Sequence, residues 1–157
     1  MKYVQYIAIK REEGCFICKA IEKGVGEESL VLYIGRYGVV QMNLYPYNTG
    51  HLLVSPKRHV ASLSELNDEE LLALAKLVTS SIEALKAALN PHGFNVGLNL
   101  GRVAGAGLED HVHFHIVPRW EGDTNFMPVI ASTKVIPEAI IDTYRKIMRY
   151  AHLISEK

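Results

Sequence analysis

The stretch His111-Val112-His113-Phe114-His115-Ile116-Val117, which runs into Pro118-Arg119-Trp120, decides how this chain is read. Side chains of a strand alternate between its two faces, so the three histidines line one face and Val112, Phe114 and Ile116 line the other. The apolar row predicts a strand seated on a core. The imidazole row predicts chemistry, because neutral imidazole is a nucleophile, proton carrier and metal ligand near pH 7, here repeated at about 6.6 Å per two-residue step. A lone histidine on an apolar strand is usually a packed core residue; three in strict alternation argue for a site.

The bulk numbers limit what such a site can serve. A length of 157 residues suits one domain spanning 1–157, with about two thirds of the unfolded surface available for burial. Seventeen basic and seventeen acidic side chains cancel, so no strong field draws the chain to nucleic acid or to an anionic membrane. A ligand is therefore recognised locally. The N-terminus has no signal-peptide pattern, and no apolar run approaches the ~20 residues of a membrane span, so a cytoplasmic protein is expected.

Working outward from the histidines, Gly101-Arg102-Val103-Ala104-Gly105-Ala106-Gly107 is small and flexible enough either to close backbone N–H groups around an anion or to be an ordinary hairpin loop. Phe94 to Asn99 alternates like a strand. Upstream, Asn67 with Glu70 forms a capping pair, after which Leu71, Leu74, Ala75, Val78, Ile82, Leu85 and Leu89 recur at helical spacing. That helix of some twenty residues stops at Asn90-Pro91-His92-Gly93, with glycine expected to supply the positive φ. Leu30–Tyr33, Tyr37–Asn43 and Leu52–Pro56 read as strands, the last entered through the turn-rich Asn43–Gly50 segment that delivers His51. Asn125–Pro128 looks extended, and Pro137 opens a C-terminal helix over about 137–154.

His-x-His-x-His followed by two apolar residues resembles the signature of the histidine-triad (HIT) superfamily. Asn43–His51, His92–Gly101 and Pro118–Phe126 are similar to its diadenosine tetraphosphate phosphorylase branch, so the likeness spans roughly residues 14 to 140. It implies an α+β fold, with an antiparallel sheet of about five strands and one long helix. It further implies a nucleotide substrate, attacked at the α-phosphorus by His113 to give a covalent nucleotidyl-histidine, with His115 on the phosphate oxygens or the leaving group. His51 and Asn43 match residues near the nucleotide and its ribose, Asn99 one at the phosphate end, and Gly105, Ala106, Gly107 and Leu108 a backbone cradle for developing charge. Asn43 and Asn99 also have a plainer use, satisfying loop backbone, and Tyr33, Tyr45 and Tyr47 either line a base pocket or pack. Many hydrolase and phosphoramidase members carry glutamine and a hydroxyl residue where this chain has Gly107 and Leu108. That departure favours inorganic phosphate over water as the acceptor. The resemblance also implies a homodimer or a higher homo-oligomer.

Cys15-Phe16-Ile17-Cys18 is a CxxC, too close for a structural staple and suited to a metal knuckle or redox pair. HIT proteins with an N-terminal CxxC, and the related galactose-1-phosphate uridylyltransferases, complete a zinc site with residues matching His59 and His111. The resemblance thus divides the triad: His111 would be structural, held by zinc with Cys15, Cys18 and His59, and His113 and His115 catalytic without a catalytic cofactor. The plainer alternative is two packed thiols with His59 at the surface. Other readings are a phosphoramidase or a polyphosphate hydrolase using water, a metallohydrolase in which Asp110 or Asp123 completes an HxH pair, and a nucleotide-binding sensor without useful catalysis.

Overall fold

The computed structural model describes residues 14–130, 136 and 138–157; Pro137 lies outside the described residues. Five short strands form one antiparallel sheet: β1 (Val31–Ile34), β2 (Gly38–Met42), β3 (Leu52–Pro56), β4 (Gly93–Leu98) and β5 (Phe114–Arg119), in the order β1-β2-β3-β5-β4. The strand that carries the histidines therefore sits inside the sheet, between β3 and the edge strand β4. Its register opposes His115 to Leu53 on one side and to Gly97 on the other.

The helix Asp68–Leu89, here α2, begins as expected. Asn67 Oδ1 accepts from Glu70 N–H and Glu70 Oε2 accepts from Asn67 N–H, both at 2.9 Å, a reciprocal capping box. Its buried stripe is Ala73, Leu74, Leu77, Ser81, Ala84 and Leu85, so Leu71 and Ala75 face outward and the stripe is turned relative to the sequence reading. The cause is at the first turn: Glu70 is itself buried, held by Arg58 Nε at 2.6 Å, which directs the stripe through a charged position that apolar counting passes over. The helix ends at Asn90 rather than at glycine; Asn90 takes the left-handed conformation (φ 48°) and Gly93 opens β4.

Alternation in the strands splits the protein into two layers. Val40, Met42, Leu52, Val54, Val112 and Ile116 join Leu74, Leu77 and Leu85 of α2 in the main core. On the opposite face, Val31 and Val39 pack against Ile17 and Ala20 of α1 (Phe16–Lys23), a helix whose N-cap is Cys15 and which sequence reading did not foresee. The C-terminal helix α3 spans Ile140–Met148, shorter than the expected 137–154, and a separate 3-10 turn follows at Ala151–Leu153. Tyr144 of α3 is buried and its hydroxyl donates to Val31 O at 2.9 Å, fastening the helix to β1. Asn125–Pro128 is not extended throughout, because Met127 begins a helical turn to Ile130.

Candidate active site and metal centre

His111 and His113 precede the paired strand, which starts at Phe114, so the three imidazoles do not form a uniform row. The chain bends at His111 and sends that ring toward α1. His111 is fully buried; its Nε2–H donates to Pro56 O at 2.8 Å, which leaves Nδ1 as the lone-pair nitrogen, 3.3 Å from Cys15 Sγ and 3.6 Å from Cys18 Sγ. His59 Nδ1 lies 3.4 Å from Cys18 Sγ. The potential ligand atoms of Cys15, Cys18, His59 and His111 all fall within 4.8 Å of one another.

Two thiols and two imidazole nitrogens converging in this way have the donor set of a closed tetrahedral zinc site, and the His111 to Pro56 bond is the outer-shell contact that fixes a ligating tautomer. Burial, with Cys15 alongside, raises the Cys18 thiol to about 11, so a bound metal is what would hold it as thiolate near neutral pH.

His113 is nearly buried, and its Nδ1–H donates to the His111 carbonyl at 2.8 Å. The proton is thereby fixed on Nδ1 and the lone pair on Nε2, the atom that can attack. Burial lowers the basicity of His113, keeping the ring neutral.

His115 is oriented from the other side. Tyr47 N–H donates to His51 Nδ1 at 2.9 Å, which puts the His51 proton on Nε2, 2.9 Å from His115 Nδ1. His115 must accept there, so its own proton is on Nε2 and points out as a donor. The His113 and His115 rings are 4.9 Å apart, centroid to centroid. The pair is thus a bare nitrogen beside an N–H. Burial first, and then neighbouring His113, hold His115 down to about 4, so it is a neutral donor at pH 7.

The remaining expected residues surround this pair unevenly. Asn43 Oδ1 accepts from Tyr45 N–H at 3.0 Å, the loop-satisfying role, while its Nδ2 lies 3.3 Å from His51 Nδ1. Asn99 Nδ2 is 3.4 Å from His115 Nε2; the same amide turned over presents Oδ1 to that N–H. In the loop, Gly105 N–H and Ala106 N–H are bonded inward to Arg102 O and Gly101 O. Gly107 and Leu108 N–H have no partner among the described residues, and the Leu108 side chain packs on the α1 cluster.

One contributor, Phe16, was missed by sequence reasoning, and two, Tyr47 and Asp123, were left open. Tyr47 stacks on His115 at 5.5 Å, and Phe16, inside the CxxC, meets His113 edge-on at 6.2 Å. Asp123 does not complete a metal pair with the triad. It receives Arg119 Nε and Nη2 at 2.6 and 2.8 Å and Asn48 Nδ2 at 2.8 Å, and Arg119 holds its carboxyl well below the usual range. Asn48 also donates to Pro118 O, so this clamp fastens the Tyr47 loop to the end of β5. The GD pair after Arg-Trp was the available signal.

Residues 26–122 match the family model described as the HIT domain. The chain belongs to the HIT family. Among HIT relatives, an AP-4-A phosphorylase of Mycobacterium tuberculosis (strain ATCC 25618 / H37Rv) is 43% identical over 150 residues, covering 92% of this chain and 77% of that protein. An adenosine 5′-monophosphoramidase of Schizosaccharomyces pombe (strain 972 / ATCC 24843) is 35% identical over 109 residues, covering 68% of this chain and 74% of its own. The HIT fold is matched by the crystal structure of a hypothetical histidine triad nucleotide-binding protein from Sulfolobus tokodaii strain7, with TM-score 0.69 and 29% identity, covering 89% of this chain and 91% of that one.

Proposed function

We propose that this HIT protein cleaves dinucleoside polyphosphates, with diadenosine tetraphosphate as the model substrate and inorganic phosphate as the acceptor. The observation that carries the reading is the opposed tautomers of His113 and His115: a lone pair on one Nε2 beside an N–H on the other. The 43% identity to an AP-4-A phosphorylase supports the substrate class.

In the first step, His113 Nε2 attacks the α-phosphorus. The bond from that phosphorus to the bridging oxygen breaks, and the leaving polyphosphate takes the electron pair, stabilised by His115 Nε2–H. In the second step a phosphate oxygen attacks the nucleotidyl-histidine, the P–N bond returns its electrons to His113, and a nucleoside diphosphate leaves. Asn43 and His51 would face the nucleoside. Asn99 and the Gly105, Ala106, Gly107 and Leu108 segment would face the phosphates, chiefly through the N–H groups of Gly107 and Leu108.

Zinc held by Cys15, Cys18, His59 and His111 would be structural: it would anchor α1 to the segment entering β5, and so the His111 carbonyl on which His113 is oriented. A reducing, cytoplasmic setting suits two ligand thiols. For assembly, a homodimer through β4 is supported by that strand's place at the sheet edge, where Asn95, Val96 and Gly97 are exposed. No helix among the described residues is long and apolar enough to cross a membrane.

The test is incubation with diadenosine tetraphosphate, with and without phosphate, and separation of AMP, ADP and ATP. ADP plus ATP only when phosphate is present is the expected result. AMP plus ATP would make water the acceptor, and no products would overturn the reading. The similarity to a monophosphoramidase favours a second reading, adenosine 5′-phosphoramidate as substrate, whose faster turnover in the same assay would displace the first.

A further inference from the structure

The four side chains of the proposed zinc site are not held alike. Cys15 caps α1 and Cys18 lies in its first turn, and His111 is fully buried with its Nε2–H on Pro56 O at 2.8 Å. His59 is exposed, and among the described residues its ring makes one hydrogen-bond contact, Nδ1 to Cys18 Sγ at 3.4 Å. A ligating imidazole is ordinarily oriented through its other nitrogen, by a carboxylate or a carbonyl. His111 has that restraint and His59 does not, so the place of His59 depends on the backbone that carries it.

That backbone has left the sheet, since β3 ends at Pro56. Lys57 N–H donates to Tyr37 O at 2.7 Å and Val60 O accepts from Val112 N–H at 2.8 Å, one on either side of His59. Between them the anchor is Arg58. Its Nε and Nη2 donate to Glu70 Oε1 and Oε2 at 2.6 and 2.8 Å, and Nη2 also donates to Glu65 O at 2.8 Å. Glu70 is in turn fixed at the start of α2, where it accepts from Asn67 N–H. Two parallel bonds set the plane and direction of a guanidinium, which a single contact does not. The residue immediately before His59 is thereby docked on the first turn of the long helix.

The energetics point the same way. Glu70 is 5% exposed, and an ion pair with a buried partner returns little net stability, because taking the carboxylate out of water offsets most of the attraction. An apolar residue would serve the buried stripe of α2 at that position. What the pair adds is geometry. We infer that Arg58 and Glu70 are positioning residues for the metal centre: their two-point pair sets the backbone at His59 so that its Nδ1 faces Cys15, Cys18 and His111. The inference deepens the proposed function and rests on its reading of those four residues as zinc ligands. It makes α2, which carries none of the ligands, a supporting wall of the centre.

The experiment titrates the zinc-loaded protein with a chromophoric chelator and records the absorption spectrum of the cobalt-exchanged protein, for the parent, Glu70→Gln and Leu85→Ala. Glutamine keeps the shape of Glu70 and an acceptor for Asn67 N–H but not the charged two-point pair. Glu70→Gln is expected to hold zinc about tenfold more weakly, the low end of the range for losing a group that orients a ligand. Its cobalt spectrum should move toward that of His59→Ala, in which one protein ligand is gone. Leu85→Ala, in the core face of α2, lowers stability by leaving a cavity and should keep the parent's zinc affinity and spectrum. If Glu70→Gln does not fold, Arg58→Lys, at a half-exposed side chain, serves the same comparison. Parent-like zinc affinity and cobalt spectrum in the folded variant overturn the inference. An equal loss of zinc in Leu85→Ala overturns it too, since the pair would then act only through general stability. A parent that holds neither zinc nor cobalt instead overturns the zinc reading on which the inference rests.

Discussion

Replacing His51 by phenylalanine separates the orientation of His115 from its chemistry. His51 is fully buried, so phenylalanine is chosen to keep the volume filled and avoid the cavity that alanine would leave. Two short bonds go, together with the longer 3.3 Å contact of Asn43 Nδ2: the bond accepted from Tyr47 N–H at 2.9 Å and the bond to His115 Nδ1 at 2.9 Å. At about 1 kcal/mol each, their loss lowers folding stability by about 2 kcal/mol. His115 remains in place, stacked on Tyr47, but its Nδ1 no longer meets the donor that fixes its proton on Nε2. Losing one such orienting bond in the transition state is worth about 1.4 kcal/mol, so kcat for diadenosine tetraphosphate phosphorolysis should fall about tenfold with little change in KM. His115→Ala removes the donor itself and should cost about 10²- to 10³-fold, the range for an oxyanion-type donor. The assay is chromatographic product formation at saturating substrate, with urea unfolding in parallel to confirm that each variant is folded. A KM rise at constant kcat in His51→Phe would refute the relay, because His51 would then act on substrate binding. Equal losses in the two variants would refute it as well, since orientation and donation would not be separable.

Two further outcomes follow from the metal centre and from burial of the site. Purified protein should carry one zinc per chain, and Cys15→Ser with Cys18→Ser should abolish it and lower the melting temperature; metal-free protein of unchanged stability, measured by elemental analysis and calorimetry, would refute the site. For pH, His115 is held down to about 4 against an unfolded value near 6.5, so on acidification the unfolded chain takes up this proton first. Its contribution is therefore lost as pH falls from about 6.5 to about 4, costing up to about 3 kcal/mol. Urea unfolding across that range should show a larger loss in the parent than in His115→Gln, which keeps the contributions of His111 and His113, both also lowered by burial. Glu70, held down to about 2 first by Arg58 and then by Asn67 N–H, loses its contribution only below about 4.5, so the two groups occupy different pH windows.

The legible part of this protein was whatever depends on near neighbours in sequence. The Asn67 and Glu70 capping box, the apolar row Val112, Phe114 and Ile116, and the strands around His51 follow from local period and turn chemistry, and the structure has them. What escaped depends on contacts across the fold. Apolar counting could not orient α2, because the buried residue of its first turn is the charged Glu70, tolerated only through Arg58 from another segment. Helix α1 was missed because its sequence reads first as a CxxC, and the short stretch from Phe16 to Lys23 offers little more than two turns of period. Asp123 was weighed as a metal ligand because sequence cannot show that Arg119 and Asn48 converge on it.

The even spacing of the three histidines suggested equivalence, and the backbone removes it. His111 sits outside the ladder, so its ring is free to turn toward Cys15 and Cys18 while its carbonyl stays available to His113. On the proposed reading one residue would join the zinc ligands to the nucleophile: the side chain would serve the first and the peptide oxygen the second. His115, inside the ladder and fixed in register against Leu53 and Gly97, takes its orientation from the opposite wall through His51 and Tyr47. The two imidazoles are thus set by independent scaffolds, α1 with the thiols for His113 and the Asp123-clamped Tyr47 loop for His115. That independence gives the site two neutral rings with opposite proton positions, where a uniform row of strand histidines would have had no means of making them differ.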